Sequence, residues 1–245
     1  MRFVGVDGCR YGWFAVAIDE HGTLNYAVFA DIQSLWERHA DAQIILIDMP
    51  IGLAETGRRR CETEARRVLG ARRSSIFSVP TRAALYAETY EQASTINQQI
   101  TGLKLSKQTW NIIPKIRELD ELLRSNAHAR LKMAEVHPEV LFWGLAGAPM
   151  VESKKTTAGY AERVRILQDI VPDAKAMIDS AMQDYRRADV ARDDIVDALV
   201  IAVTARIGDL KSFPPNPDRD EYGLPMQILY AHHPQKFGTK VDSGL

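Results

Sequence analysis

Short apolar runs, each closed by an acid or a turn, fill the first fifty residues, and longer amphipathic stretches fill most of the rest. Phe3-Val4-Gly5-Val6 has the pattern of a buried strand, with Asp7 at its end and Gly8 free to turn the backbone. After the turn Gly8 to Gly12, Trp13 to Ile18 reads as a second strand and Leu24 to Phe29 as a third. Asp19-Glu20-His21-Gly22 joins them as a hairpin loop, with Gly22 suited to a left-handed conformation. Asp31 is placed to N-cap a helix through about Arg38 that turns Leu35 and Trp36 inward. Ile44-Ile45-Leu46-Ile47 is apolar on both faces, as a central strand parallel to the first would be. Asp48 ends it, and Met49-Pro50-Ile51-Gly52 leads the chain away.

From Ala54 to about Arg130 the pattern is helical and irregular, with no clear strand. Such a length is too great for a loop in a compact domain, so a helical insertion at about 54–130 is expected. Ser74 to Pro80 breaks it, Thr81 and Thr89 are candidate helix starts, and Pro114-Lys115-Ile116 reads as the opening of a helix to about Arg124. Lys132 to Val136 reads as a fifth strand, and Val140 to Ala146 as a short helix or turn. Ser153-Lys154-Lys155-Thr156-Thr157 reads as a polar, basic link. Helices are expected at Ala158 to Val171, Ala174 to Arg187 and Asp193 to Gly208. Pro214-Pro215-Asn216-Pro217 then ends helical structure, Met226 to Tyr230 reads as an edge strand, and about 231–245 as a loose tail. The expectation is one α/β domain over 1–245, with a mixed five-stranded sheet of three antiparallel and then parallel strands.

Composition narrows the function classes. The chain has 245 residues, 46% hydrophobic and 26% charged, with ample material for a core. Its net charge of −1 gives no global pull toward nucleic acid or membrane, so any such surface must be a local patch. Cys9 and Cys61 have neither zinc spacing nor the number for a disulfide framework. With no visible signal peptide and no apolar run of roughly 18–20 residues, a soluble cytoplasmic protein is expected.

The candidate chemistry lies in acids. Asp7 and Asp48 end apolar strands, where α/β sheets place their sites. Asp194 and Asp197 are i,i+3 neighbours on one face of the last helix. Asp194 sits in a first turn that favours negative charge, whereas Asp197 enters the apolar run Ala198 to Val203 and needs a partner or a metal. Clustered carboxylates suit Mg²⁺ or Mn²⁺, and two ions about 4 Å apart could clamp a phosphodiester. The plainer reading is two turn acids and a helix cap. Glu135 and Glu139 could add acids, with His137 as a proton relay; an edge-strand acid, a first-turn acid and a loop histidine are the plainer alternatives.

Gly57 to Arg82 holds Arg58, Arg59, Arg60, Arg66, Arg67, Arg72, Arg73 and Arg82 against Glu62 and Glu64. Arginine binds phosphate bidentately, which makes Arg66, Arg67, Arg72 and Arg73 candidates for substrate phosphate. A solvated helix face, with Glu62–Arg66 as an i,i+4 pair, is the alternative.

The order of elements resembles the RNase H fold. Asp194-Ile195-Val196-Asp197-Ala198-Leu199 resembles the final helix of RuvC-type Holliday-junction resolvases, which carries D-x-x-D-A-L. By that resemblance Asp7 matches the first-strand Asp, and Asp48 stands where those enzymes carry Glu. Nearly the whole chain resembles a family of predicted RNase H-like nucleases known as domain of unknown function four-two-nine. The matching stretches are Val6 to Cys9, Ile47 to Gly52, Ser74 to Phe77, Leu105-Ser106-Lys107-Gln108, Glu135 to Glu139, and Lys154-Lys155-Thr156 with Gly159 and Arg163. Glu62 departs from it, since Asp is usual there.

The resemblance implies a metal-dependent nuclease acting on DNA or RNA. Asp7, Asp48, Asp194 and Asp197 would be catalytic and bind the metal, and Glu135 would be catalytic. Lys107 and Lys155 would join the arginines on the substrate. The alternative is a non-catalytic protein of the same fold that binds nucleic acid or a small phosphorylated ligand. An actin-like phosphotransferase, whose first strand also ends in Asp-Gly, would need a second related domain and a second phosphate loop, and neither is visible.

Overall fold

In the computed structural model, which describes residues 1–233, β1 (Arg2–Gly8), β2 (Trp13–Asp19) and β3 (Leu24–Phe29) form the antiparallel meander. Gly22 turns β2 into β3 at φ 90°, as expected. α1 (Ile32–His39) follows, and the Asp31 carboxylate accepts from the Ser34 amide at 2.7 Å as its cap. β4 (Ile44–Ile47) pairs in parallel with β1, and β5 (Met133–Glu135) in parallel with β4. The five strands lie in the order β3-β2-β1-β4-β5, the mixed RNase H-like sheet expected from the sequence. The tail expected at about 231–245 lies, beyond residue 233, outside the described residues.

Both faces of this sheet are covered, because strand side chains alternate. In β2, Phe14, Val16 and Ile18 join one core, while Trp13, Ala15 and Ala17 join the other. The first core is closed by α7 (Pro138–Ala146), α8 (Thr157–Ile170), α9 (Ala174–Asp184) and α10 (Arg192–Ile207). Ile195 to Ala205 of α10 are all buried, as a helix apolar on nearly every face requires. The second core is closed by α1 and by α3 (Arg82–Leu85), α4 (Tyr90–Thr101), α5 (Lys107–Ser125) and α6 (Ala127–Lys132). α2 (Arg60–Leu69) and a 3₁₀ turn at Gly70–Ser75 lie before these, and Cys61, Ala65 and Leu69 of α2, with Ile76 just after the turn, pack with Val140 of α7. No helix among the described residues is long and apolar enough to cross a membrane.

Three elements differ from the sequence reading. α5 starts at Lys107, capped by the Ser106 hydroxyl on the Thr109 amide at 3.0 Å, and Pro114 lies inside it. A proline there forfeits one helix hydrogen bond and leaves the flanking turns intact. α9 ends at Asp184, three residues before Arg187. The proline-rich segment is a strand, β6 (Lys211–Arg219), paired with β7 (Pro225–Tyr230). Its ladder runs on either side of the prolines, at Lys211 to Phe213 and at Asp218 and Arg219, so no missing amide is asked to donate. β7 is therefore an edge strand of a separate ribbon, joined to the main sheet by one parallel bridge, Val136 to Leu229.

Candidate metal centre

Val6 pairs with Ile47, so the next residues, Asp7 and Asp48, stand side by side at the C-terminal ends of adjacent parallel strands. The Asp48 amide donates to the Val6 carbonyl at 2.9 Å and holds that register past the end of β4. Two residues before Asp7, Gly5 brings α10 onto the sheet. A Cβ at Gly5 would lie 2.4 Å from the Ala198 carbonyl oxygen and 2.1 Å from the Ala202 nitrogen, so only glycine permits this crossing. Asp197 immediately precedes Ala198, and Asp194 lies one turn earlier. All four aspartates line one cleft of about 520 Å³.

The local chain fixes two of the four carboxylates and leaves oxygens free. Asp7 Oδ1 accepts from the Gly8 amide at 2.8 Å, and Asp194 Oδ2 accepts from the Ala191 amide at 2.8 Å at the start of α10. Asp48 accepts no protein hydrogen bond among the described residues, and Asp197 is almost wholly buried. Burial raises the Asp7 carboxyl well above the usual range, and the charges of Asp48, Asp197 and Asp194 raise it further. Burial and then Asp197 push Asp48 up to about 8. Asp194 is pushed up to about 6 by burial, against the lowering effect of the Ala191 amide. Asp197 is raised by burial, with Lys154 opposing. Asp48 therefore holds its proton at neutral pH unless a cation meets it.

Lys154, which the sequence reading left inside a basic link, is the charged partner of Asp197. Its Nζ donates to Asp197 Oδ2 at 2.5 Å, and its ammonium is held charged well above the ordinary lysine range by Asp197, Asp7 and Asp48, against burial. The loop that carries it is pinned from several sides. Glu162 accepts from the Val151 and Glu152 amides, each at 3.2 Å. Arg72 Nε donates to the Met150 carbonyl at 3.1 Å. Buried Arg163 donates to the carbonyls of Glu152 and Gly159 at 3.2 and 2.9 Å and to Glu139 at 2.5 Å. Gly159 lies against the Ser153 carbonyl, which a Cβ would meet at 2.0 Å. The stretch of Lys154 with Gly159 and Arg163 is thus one lysine and the two residues that set its loop. The need of Asp197 for a partner was the signal that could have found it.

The other expected residues divide. Glu135 lines the cleft, but its Oε2 accepts from the Ile51 amide at 2.7 Å and pairs with buried Arg59. Burial raises it to about 7 while Arg59 opposes. It locks the turn after Asp48. His137 lines the cleft with Nε2 3.3 Å from the Ser75 carbonyl, and burial pushes it down to about 4, so it is neutral at pH 7. Arg72 and exposed Lys155 line the cleft. Arg66 does not; its Nε donates to the Ile76 carbonyl at 3.0 Å. Exposed Arg67 and Arg73 do not line it either, nor does Lys107, whose Nζ lies 3.9 Å from the Tyr90 ring centroid; its neighbour Gln108 does.

The donor set matches a hard divalent cation in kind: oxygens only, mutually repelling and short of protein donors. Among the described residues, no three Asp, Glu, His or Cys side chains are drawn tightly enough together to hold an ion as they stand. The ammonium of Lys154 stands among them instead.

The model of the family described as "Protein of unknown function (DUF429)" matches residues 5–219, and the chain belongs to that family. The match takes in Asp7, Asp48, Lys154, Asp194 and Asp197. No curated protein and no solved structure matches the chain.

Proposed function

We propose that this member of the DUF429 family is a metal-dependent nuclease that hydrolyses phosphodiesters of DNA or RNA in the cytoplasm. The observation that carries the reading is the meeting of Asp7, Asp48 and the α10 acids in one cleft, with carboxyls raised by burial and by one another. Asp7, Asp48, Asp194 and Asp197 would hold Mg²⁺ or Mn²⁺. Such an ion, when bound, activates water for attack and stabilises charge on phosphate oxygens. The chain supplies the rest. Asp7, at the strand end facing the helix acids, is the natural shared ligand. Arg72 and Lys155 put positive charge on the cleft wall, which a polyanion needs beside an acidic floor. Arg67 and Arg73, exposed on the same segment as Arg72, carry that charge outward. Glu135 holds the Asp48 turn through the Ile51 amide. The free cysteines accord with a reducing compartment.

The test is a panel of single- and double-stranded DNA and RNA incubated with Mg²⁺ or Mn²⁺. Cleavage by the wild type that falls by orders of magnitude in Asp7→Asn supports the reading. Binding without cleavage by either protein replaces it with the non-catalytic alternative, which the Lys154–Asp197 contact favours because it already neutralises one acid.

A further inference from the structure

Phe77 is a large apolar side chain that no core uses. It belongs to none of the three hydrophobic clusters, and its ring meets no aromatic ring or cation among the described residues. It lines the aspartate cleft instead. Its neighbours on both sides are fixed. Ile76 is buried with α2, and its carbonyl accepts from Arg66 Nε at 3.0 Å. The Ser78 carbonyl accepts from the Thr109 hydroxyl at 3.4 Å, which ties this loop to the first turn of α5. Gln108, one residue before Thr109, lines the same cleft. It is exposed, and its side-chain amide has no hydrogen-bond partner among the described residues. Phe77 and Gln108 therefore stand one residue to either side of a single link between loop and helix.

The aspartates come from the sheet ends and α10, whereas Phe77 and Gln108 come from the helical segment between β4 and β5. The cleft thus joins acids from one part of the fold to an aromatic ring and an amide from another. Its volume of about 520 Å³ falls within the range that encloses one small molecule, roughly 300–1,000 Å³. A nucleobase offers a π-face to a ring and a hydrogen-bonding edge to an amide, which carries one acceptor oxygen and two donor hydrogens. In a duplex the faces are covered by neighbouring bases and the edge by the opposite strand, so only an unpaired base has both to give.

We propose that Phe77 and Gln108 form a nucleobase subsite, and that the cleft takes a single strand with its base stacked on Phe77. This rests on the nuclease reading above and narrows its substrate. Arg72 and Lys155, on the same cleft, take the backbone phosphates, and Gln108 reads the edge of the stacked base.

The experiment is a titration of the full chain with dye-labelled oligonucleotides, in chelator so that no strand is cut. Anisotropy reads affinity. The base analogue 2-aminopurine within the strand reads stacking, because its emission is quenched against an aromatic ring. Phosphate contacts alone favour the duplex, which carries the higher charge density. The wild type is expected to reverse that order, binding the single strand more tightly and quenching its 2-aminopurine. Phe77→Leu keeps apolar bulk without a π-face; it is expected to bind the strand about 5- to 150-fold more weakly and to lose the quench, and Phe77→Trp to restore both. Gln108→Ala is expected to keep the quench and to level the affinities for strands of different base. Duplex bound as tightly as single strand by the wild type, or a full quench in folded Phe77→Leu, overturns the subsite and leaves the nuclease reading standing. A mononucleotide that displaces the strand at equal concentration supports the subsite but assigns it to a free nucleotide, against that reading. No binding of any probe overturns both. Because the wild-type preference alone decides between single strand and duplex, a variant that failed to fold would not protect the proposal.

Discussion

Gly5 of β1 lies flat against Ala198 of α10, so close that a Cβ at Gly5 would stand 2.4 Å from the Ala198 carbonyl oxygen. This contact places the helix acids over the strand acids. It brings Asp197, one residue before Ala198, to the end of the sheet where Asp7 follows Gly5 by two. Both atoms that a methyl at Gly5 would meet are backbone, so neither can swing aside. Gly5→Ala is expected to cost about 1–3 kcal/mol by overpacking, read as a lower urea midpoint. Divalent-ion stabilisation should fall as α10 moves away. A variant as stable as the wild type, with its metal response intact, would show that another contact sets the helix.

Arg59 and Glu135 form a buried pair, with side chains 2% and 6% exposed. Removing one partner strands the other's charge. Arg59→Met is expected to destabilise by about 3–5 kcal/mol, and Arg59→Met/Glu135→Leu to recover much of that loss. Equilibrium unfolding of the single and double variants measures the coupling. Recovery by the double variant should leave metal binding reduced, because the Ile51 amide then loses its acceptor beside Asp48.

Asp48 sets a pH dependence. Its carboxyl titrates at about 8 in the folded protein. An unfolded aspartate titrates at about 3.9. Between those values the folded state binds more protons than the unfolded one, so stability is full below about pH 4 and is lost as pH rises toward 8. His137, down at about 4 when folded, acts oppositely, but only below its unfolded value of about 6.5. Glu135, up at about 7 when folded, and the raised Asp7 act in the same direction as Asp48, so Asp48 is tested at pH 7 to 8, above both His137 and Glu135. There the metal-free protein should lose stability with rising pH, by up to about 1.4 kcal/mol per unit from this group. Asp48→Asn should flatten the slope. Equal slopes for the two proteins, from urea unfolding across that window, would remove Asp48 as the cause.

Which parts of this were legible in the sequence follows from what each residue depends on. Asp7 and Asp48 were readable because an acid ending an apolar run signals a strand end without knowledge of neighbours. The α10 acids were readable because an all-apolar helix has to be buried, and an acid within it has to answer for its charge. β6 was not readable, because its prolines break the strand pattern and the pairing lies to either side of them. Lys154 was not singled out because its position comes from loop contacts with Arg163, Glu162 and Arg72, and no periodicity records these. The arginine-rich stretch could not be divided in sequence for the same reason. Arg59, Arg66 and Arg72 are all bound to groups of the protein itself, and of these three Arg72 also lies on the cleft wall. Nothing local distinguishes them.

The most direct measurement of the central claim is a set of thermal melts of wild type and Asp7→Asn, each with and without Mn²⁺. Asp7 is buried among like charges, so Asn in its place relieves repulsion while keeping shape. The metal-free variant is expected to melt at or slightly above the metal-free wild type. Mn²⁺ should raise the wild-type midpoint, since an ion present at 100 times its Kd adds about 2.7 kcal/mol. The variant should lose most of that rise. A metal-free variant that unfolds, or one that keeps the full Mn²⁺ shift, would contradict the account and make Asp7 a structural turn acid.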